Sequence, residues 1–529
     1  MKAKQLLQSA SKQASRYLSD SKQVAKGADL LAAGGGLSAI VMLNAFTKLD
    51  NIQGSKLTLV DDNKFKTTPW HHEHSPVDLL QHQSFADYGE DFLDWTDNNR
   101  DEIIDFVEEK GGKRAEKWLE GNRGFLEQAS RDELISDWTR RFPRAVVGMY
   151  LDEKKDESVQ RAKEKGVDLQ FVDGLVTDVE KVKDGYSVLV KSGANDPMSA
   201  ALLLNAKELL VGTGIPDAPE KESLKQADDY YGNMYRDGNF YNLLDDINRK
   251  YDEKGGQKVN VNVTGFGPAG LDVAYWLYNE GLANPEFEDK YNLTVIGNMN
   301  KLRPGAYTSD KEEPFQPTFK EQYKSPEDVM GDIYKNEEFA MDMGYTQGEA
   351  RTAMRNKLKE IMPSQPENVQ DEFKGPKYMA KYLNNLSTEA HESHSSVGKL
   401  KEKGILKTVE GKVDADSLDE RKEGGFEFEY YDKNGTYKSE CDIYINCAHN
   451  LTEEIQKIKE ETWLGKLANE KDIHITGFNA SFKDDYEFQP MDVYAQAPSI
   501  AGVMKELARD LSYRAQERNQ QSSGAGRAA

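Results

Sequence analysis

The chain has 529 residues, in which 69 Lys and Arg face 92 Asp and Glu, a formal charge of −23. A 37% apolar share with 42 glycines suits a folded globular chain rather than a disordered one, and the length suits about two to four domains. The charge disfavours nucleic-acid backbones and anionic membrane surfaces as main partners, while two cysteines, Cys441 and Cys447, exclude a disulfide scaffold, a Cys₄ zinc site and a CxxC pair.

Residues 1–26 hold one acid, Asp20, and read as an amphipathic N-terminal extension. The stretch 28–46, ADLLAAGGGLSAIVMLNAF, is nearly long enough to span a bilayer, but Asp29, Asn44 and three glycines interrupt it. It predicts instead a buried strand (28–33), a glycine turn and a helix, with no integral membrane segment. In that turn Gly34 permits the tight bend, Gly36 lets a pyrophosphate approach the backbone, and Ala39 permits close helix–sheet packing. The amides of Gly35, Leu37 and Ser38 open the helix and belong to the same candidate site. The next strand, KLTLVDD, ends at Asp61, placed to accept hydrogen bonds from ribose hydroxyls.

His71, His72 and His74 follow in a Pro-flanked loop. Polar side chains facing solvent are the favoured reading there, contact with a substrate or flavin the lesser one, and no metal site is expected. Trp70, Trp95 and Trp138 read as packing anchors. KGVDLQFVDGLVTD (165–178) introduces a hairpin through YSVLV and a closing strand, LLVGTG, ending at Gly212, Thr213 and Gly214.

A second, fuller glycine turn lies in KVNVNVTGFGPAGLDVAYWLYNEG (258–281), with Gly265, Gly267 and Gly270 spaced as GxGxxG between a strand and a helix. Its following strand, NLTVIGN, carries Gly297 and Asn298 where an acid would favour NAD(H). Lys301 and Arg303 stand a few residues on, where a 2′-phosphate would suit them, so NADP(H) is weakly favoured over NAD(H). Residues 306–400 read as a helical insertion, with helix starts at Ser325-Pro326 and Thr346; a lid, a substrate domain and a protein-partner surface are its open readings. HESHSS (391–396) reads as a loop. KGILKTVEGKVDAD (403–416) then repeats the 165–178 pattern, FEFEYYD turns at Asn434-Gly435, and the chain closes through CDIYINC, placing His449 just past a strand end. The tail from about 516 is rich in Gln, Ser and Gly and reads as disordered.

Two copies of strand, glycine turn, hairpin and closing strand imply an α/β fold with two Rossmann-like dinucleotide-binding domains, three-layered, with a helical insertion. The residues resemble the two-dinucleotide-binding-domain flavoproteins, and among them the bacterial FAD-NAD(P)-binding branch that includes the lysine and ornithine N-hydroxylating monooxygenases. GGGLSA with Asp61 is similar to the FAD fingerprint, Gly212-Thr213-Gly214 to an "ATG" signature beside FAD, and GFGPAG to the nicotinamide fingerprint. RFPRAVVGMYL (141–151) and the flavin-proximal segment VDLLQHQSFADYGEDFLDW (77–95) also resemble that branch, as does QPMDVYAQAPSIAGVMKELA (489–508). INCAHN departs from the branch's INCTG by lacking the closing glycine, and Met491-Asp492 replaces a Gly-Asp pair.

The resemblance implies an FAD-binding domain over 27–230 and again over 451–512. It implies an NAD(P)-binding domain over 231–305 and 401–450, with the insertion between and a tail over 513–529. FAD would lie along Gly34, Gly35, Gly36, Leu37, Ser38, Ala39 and Asp61, with Val176 beside the adenine, Gly212 to Gly214 near the flavin and Asp492 at the ribityl chain. NAD(P)H would lie along Gly265, Gly267, Gly270 and Arg303. The implied activity is a cytoplasmic FAD-dependent NAD(P)H oxidoreductase, with monooxygenation of a small amine or similar metabolite as the branch's chemistry. Its catalytic residues are unassigned, His449 and His72 being the candidates. The alternative is a non-catalytic flavin- or nucleotide-binding regulator, or an interaction protein that uses the helical insertion.

Overall fold

The computed structural model describes residues 27–475 except 63–64, 66–69, 74, 83, 86–87, 89, 138, 193–200, 213–220, 222, 225–226, 237, 299–303, 307–308, 312, 375–385, 387 and 449–461; beyond these it describes only Leu511 and Tyr513. Thr213, Gly214, Arg303, His449 and Asp492 therefore lie outside the described residues, as do His74, Trp138, the N-terminal extension and the tail.

Strand β1 (Ala28–Ala33) is buried throughout, as a central parallel strand of apolar residues should be. It turns at Gly34 into helix α1 (Leu37–Lys48), and β2 (Lys56–Asp61) returns parallel to β1. The apolar stretch is thus strand, turn and helix, and no helix among the described residues is long and apolar enough to cross a membrane. Helices α2 (Glu90–Asn98), α3 (Arg100–Gly111), α4 (Glu116–Gln128), α5 (Arg131–Ser136) and α6 (Arg144–Glu164) separate β2 from β3 (Asp168–Asp173). The chain then runs through an antiparallel meander of β4 (Leu175–Val182), β5 (Gly185–Lys191) and β6 (Ala201–Val211). The first half of β6 pairs with β5, and its second half pairs parallel with β1.

The second unit repeats this plan. It comprises β7 (Tyr230–Tyr231), α7 (Asn239–Glu253), β8 (Val259–Thr264), α8 (Pro268–Ala283) and β9 (Tyr291–Gly297). The insertion follows as α9 (Pro326–Asp342), α10 (Gln347–Ile361) and α11 (Glu367–Lys374), with Ser325 and Thr346 capping the first two through their hydroxyls. Phe315, Val329, Ile333, Met354, Leu358 and Val369 give it a core of its own.

Helix α12 (His391–Glu402) corrects the loop expected at HESHSS. Its serines are tolerable inside a helix because their hydroxyls bond backward: Ser396 donates to the Ser393 carbonyl at 2.6 Å and Ser395 to Glu392 at 3.0 Å. Val397 and Leu400 join the core that holds α8, so α12 serves the second unit and the boundary expected at 400 falls inside it. The chain finishes through β10 (Leu406–Glu410), the meander β11 (Lys412–Glu420), β12 (Phe426–Asp432) and β13 (Gly435–Cys441), then β14 (Ile443–Asn446), helix α13 (Trp463–Leu467) and β15 (Ile473–Ile475).

The parallel strands run β3-β2-β1-β6 with β15 beside β6 in the first unit, and β10-β9-β8-β14-β7 in the second. Both crossover helices end in the same Schellman motif. Gly166 at φ +67° is followed by Val167, which donates to Ala162; Gly404 at φ +71° is followed by Ile405, which donates to Leu400. The fifth strands are exchanged: β7 follows the closing strand of the first unit yet pairs with β14, and β15 follows β14 yet pairs with β6.

Alternation along β1 builds three layers in the first unit. Leu30 and Ala32 face α1 together with Met42, Leu43 and Phe46, whereas Leu31 and Ala33 face the meander with Val188, Val190 and Leu204. Leu511 packs into the α1 side.

Candidate dinucleotide-binding site

The two glycine bends are built alike, from strand end to helix start. Gly34 sits at φ +101° and donates its amide to the Val60 carbonyl at 2.8 Å; Gly265 sits at φ +95° and donates to Ile296 at 2.8 Å. That left-handed conformation is what a glycine admits without steric cost. Gly36 caps α1 at φ −76°, ψ −158°, and Gly267 caps α8 at φ −88°, ψ −166°. In both bends a Cβ on the capping glycine would meet nothing within 4 Å, leaving open space in front of free helix amides. This is a cradle of the shape and polarity that a diphosphate needs. Leu37 and Ser38 form the first turn of α1, half-buried, and Ala39 is buried against the sheet. At the matching position of the second bend, a Cβ on Gly270 would stand 2.3 Å from the Gly265 carbonyl oxygen, so only glycine lets α8 come so close.

Two further described candidates, Gly212 and Val176, belong to the first unit. Gly212 donates to Ala33 at 2.9 Å beside the first bend, and Cys447 donates to Thr264 at 2.7 Å beside the second. Cys447 is therefore in register with Gly212. Val176 lies in β4, half-buried against the meander side of the sheet, just past Gly174, which donates to the Asp61 carbonyl at 2.9 Å.

Asp61 does more than the sequence implies. Its carboxylate accepts from the Gly35 amide at 3.2 Å and from the Phe65 amide at 2.6 Å, so it clasps the bend and leaves only its remaining lone pairs for a ribose. The clasp needs Gly35, because a Cβ there would lie 2.8 Å from the Asp61 Cβ and 2.4 Å from the Phe65 ring. In the second bend large and small residues trade places. Phe266 occupies the position of Gly35 and is buried, while Gly297 occupies the position of Asp61. A Cβ on Gly297 would stand 2.9 Å from the Phe266 amide nitrogen, so no carboxylate fits at that strand tip.

His72 stacks on His71 with centroids 4.7 Å apart and meets Phe106 edge-on at 5.4 Å, while His71 lies 3.4 Å from Asp152. The pair packs against α3 and α6 rather than standing at either bend. Cys441 and Cys447 are both buried, and burial pushes both thiols far above their ordinary range.

One cluster escaped the sequence reading altogether. Arg144, at the start of α6, donates to Asp272 of α8 at 2.5 Å, and Tyr235 donates to the same oxygen at 2.5 Å. His82 places Nδ1 3.1 Å from Glu389 and Nε2 3.0 Å from Arg144. Burial opposes the Arg144 charge, but Asp272 and Tyr235 more than offset it and hold the guanidinium above its ordinary value. A neighbouring buried acid, Asp78, is pushed by burial up to about 6, against the hydrogen bond from Asn279. Asp78 and His82 lie in 77–95, Arg144 in 141–151 and Asp272 in the segment of the second glycine turn, but no spacing in the sequence brings these segments together. The available signal was charged residues such as Asp78 and Asp272 inside otherwise apolar segments.

Fold and bends together define a class, α/β proteins with two Rossmann-like dinucleotide-binding units. Residues 32–205 match the family model described as FAD-NAD(P)-binding. No curated protein sequence matches the chain. Among solved structures, the chain is similar to the FAD-bound cadaverine monooxygenase DfoA of the desferrioxamine biosynthetic pathway from Erwinia amylovora, at 13% identity over 93% of this chain and 95% of that one, with a TM-score of 0.44. It is similar to the ornithine hydroxylase PvdA from Pseudomonas aeruginosa at 12% identity, over 91% and 99%, with a TM-score of 0.46. For the lysine monooxygenase NbtG from Nocardia farcinica the values are 12%, 92% and 99%, with 0.40. Likenesses this remote do not bear on chemistry.

Proposed function

We propose that the protein is an FAD-dependent oxidoreductase that draws hydride from NAD(P)H, with FAD along the first bend and the nicotinamide coenzyme along the second. The observation that carries this reading is the pair of matched bends, each with an open cradle in front of a helix N-terminus. A flavin supplies the two-electron acceptor that such a reaction needs. The chain's own residues supply binding and position. The amides beyond Gly36 and Gly267 hold diphosphates, Asp61 fixes the first bend, and the absence of room for an acid at Gly297 favours a 2′-phosphate over a free ribose. Arg303 is our candidate for that phosphate, and Asp492 for the flavin side chain.

In this reading the FAD-binding unit spans 27–230 with 451–512, and the nicotinamide unit spans 231–305 with 391–450, α12 included. A small amine or similar metabolite is the proposed substrate, and a reducing compartment such as the cytoplasm suits two buried free thiols. Absorption spectra of the purified protein, before and after anaerobic NADPH, test the proposal: flavin bands that bleach support it, and failure to retain added FAD removes it. Oxygen uptake stimulated by an amine separates a monooxygenase from a reductase.

A second reading, a nucleotide-binding regulator without turnover, draws on Phe65 lying over Gly35 and on Cys447-Ala448 standing where the first unit has Gly212. FAD bound tightly but never reduced by either nicotinamide coenzyme would select it.

A further inference from the structure

Two exchanged strands, β7 and β15, each follow one unit in the chain and pair in the sheet of the other. Apolar side chains meet on the surface between the units: Val146, Val147 and Trp118 share one core with Tyr275, Trp276 and Ala274. Apolar contact is non-directional and tolerates sliding. The Arg144 cluster lies within this surface and does not tolerate it, because a shift leaves a buried charge without its partner.

We propose that Arg144, Asp272, His82 and Glu389 form a latch that sets the position of the second bend relative to the first and ties it to the base of the helical insertion. Arg144 belongs to the first unit, and Asp272 stands two residues beyond Gly270 on the helix that opens the second bend. Their side chains are 5% and 2% exposed. Arg144 also donates through Nε to the Leu80 carbonyl at 3.1 Å, anchoring the segment that carries His82. A guanidinium only donates, so His82 Nε2 accepts from it, which assigns His82 as the neutral Nδ1–H tautomer donating to Glu389. Glu389 is where the insertion ends. Its backbone bridges to the insertion's start, with Ala306 donating to Glu389 at 2.9 Å and Glu389 to Pro304 at 3.0 Å. Helix α10 presses on that base, since a Cβ on Gly348 would lie 2.1 Å from the Gly305 carbonyl oxygen. Arg141 adds a second tie, donating to Thr388 at 3.0 Å and to the His82 carbonyl at 3.2 Å. A displacement of the insertion therefore acts on Glu389, and through His82 on the Arg144–Asp272 pair.

Pulsed dipolar spectroscopy on the full chain tests this without any coenzyme, so its outcome is separate from that of the redox reading. Spin labels at the exposed positions Val182, Tyr437 and Tyr334 report on the first unit, the second unit and the insertion. The unaltered latch gives one narrow Val182–Tyr437 distance population. The paired substitution Arg144→Met with Asp272→Leu keeps the interface apolar and packed, and is expected to fold cooperatively yet lose that single population. A narrow distribution unchanged in the pair overturns the latch. Glu389→Ala is expected to broaden the Val182–Tyr334 distances, and Glu389→Gln, which still accepts from His82, to restore them. Equal distributions in both overturn the tie to the insertion.

Discussion

An added side chain at Gly36 or Gly267 meets only open space, which separates binding from folding at these two positions. Aspartate is a good N-cap, so Gly36→Asp and Gly267→Asp are expected to keep the melting temperature, while a carboxylate in the cradle repels a diphosphate. Each is expected to weaken its own coenzyme at least about tenfold, roughly the 1.4 kcal/mol that a misplaced charge readily costs; titration calorimetry with FAD and NADPH measures it. Gly270→Ala is the contrast. Its methyl group has no room against Gly265, so a loss of about 1–3 kcal/mol is expected in urea unfolding.

Asp78 gives a pH signature at the same scale. Its folded value of about 6 lies above the ordinary 3.8, so the folded chain keeps this proton longer than the unfolded one. Stability from this site is complete below the lower value and is lost as pH rises through the upper. Asp78→Asn is expected to leave stability unchanged near pH 4 and to raise it by about 3 kcal/mol near pH 8, from two pKa units at about 1.4 kcal/mol each. Urea midpoints at the two pH values decide it. The glycine bends were legible in sequence because backbone conformation allows few residues there. Asp61's clasp on Gly35 and the trade between Gly35–Asp61 and Phe266–Gly297 were not, since both depend on distances across the bend.

Regular elements followed their sequence signals where periodicity or a cap was strong. The strands at 28–33 and 259–264, the Asn434-Gly435 hairpin and the caps at Ser325 and Thr346 are all present. The helix at 391–402 was obscured because a Ser- and His-rich start reads as a loop, and only packing against α8 reveals that Ser393 and Ser396 are buried. The repeat of Lys-Gly followed by an aliphatic residue at 165–167 and 403–405 marks the matched Schellman ends of the two crossovers. Gly166→Ala and Gly404→Ala force alanine into a left-handed conformation, so each is expected to cost about 1 kcal/mol or somewhat more. The loss at Gly166 is expected to be the larger, because its Cβ would also press on Gln53 at 3.2 Å. Denaturant midpoints of the two variants compare them directly.

For the whole molecule, composition and the doubled glycine turn led to two Rossmann-like units, and the sheet orders bear this out. The strand exchange and the Arg144 cluster were invisible in sequence, being contacts between residues of separate segments, 128 positions apart for Arg144 and Asp272. Both thiols are buried in the second unit, so Ellman's reagent is expected to find neither in the native chain and both after denaturation.

The account stands or falls on the bends holding two different coenzymes, and anaerobic stopped-flow mixing of FAD-loaded protein with NADPH tests that most directly. The expected result is loss of the oxidised flavin absorbance at a rate that saturates with NADPH, abolished by Gly267→Asp while FAD stays bound. Flavin that remains oxidised at saturating NADPH and NADH, or bleaching that Gly267→Asp leaves intact, would contradict it.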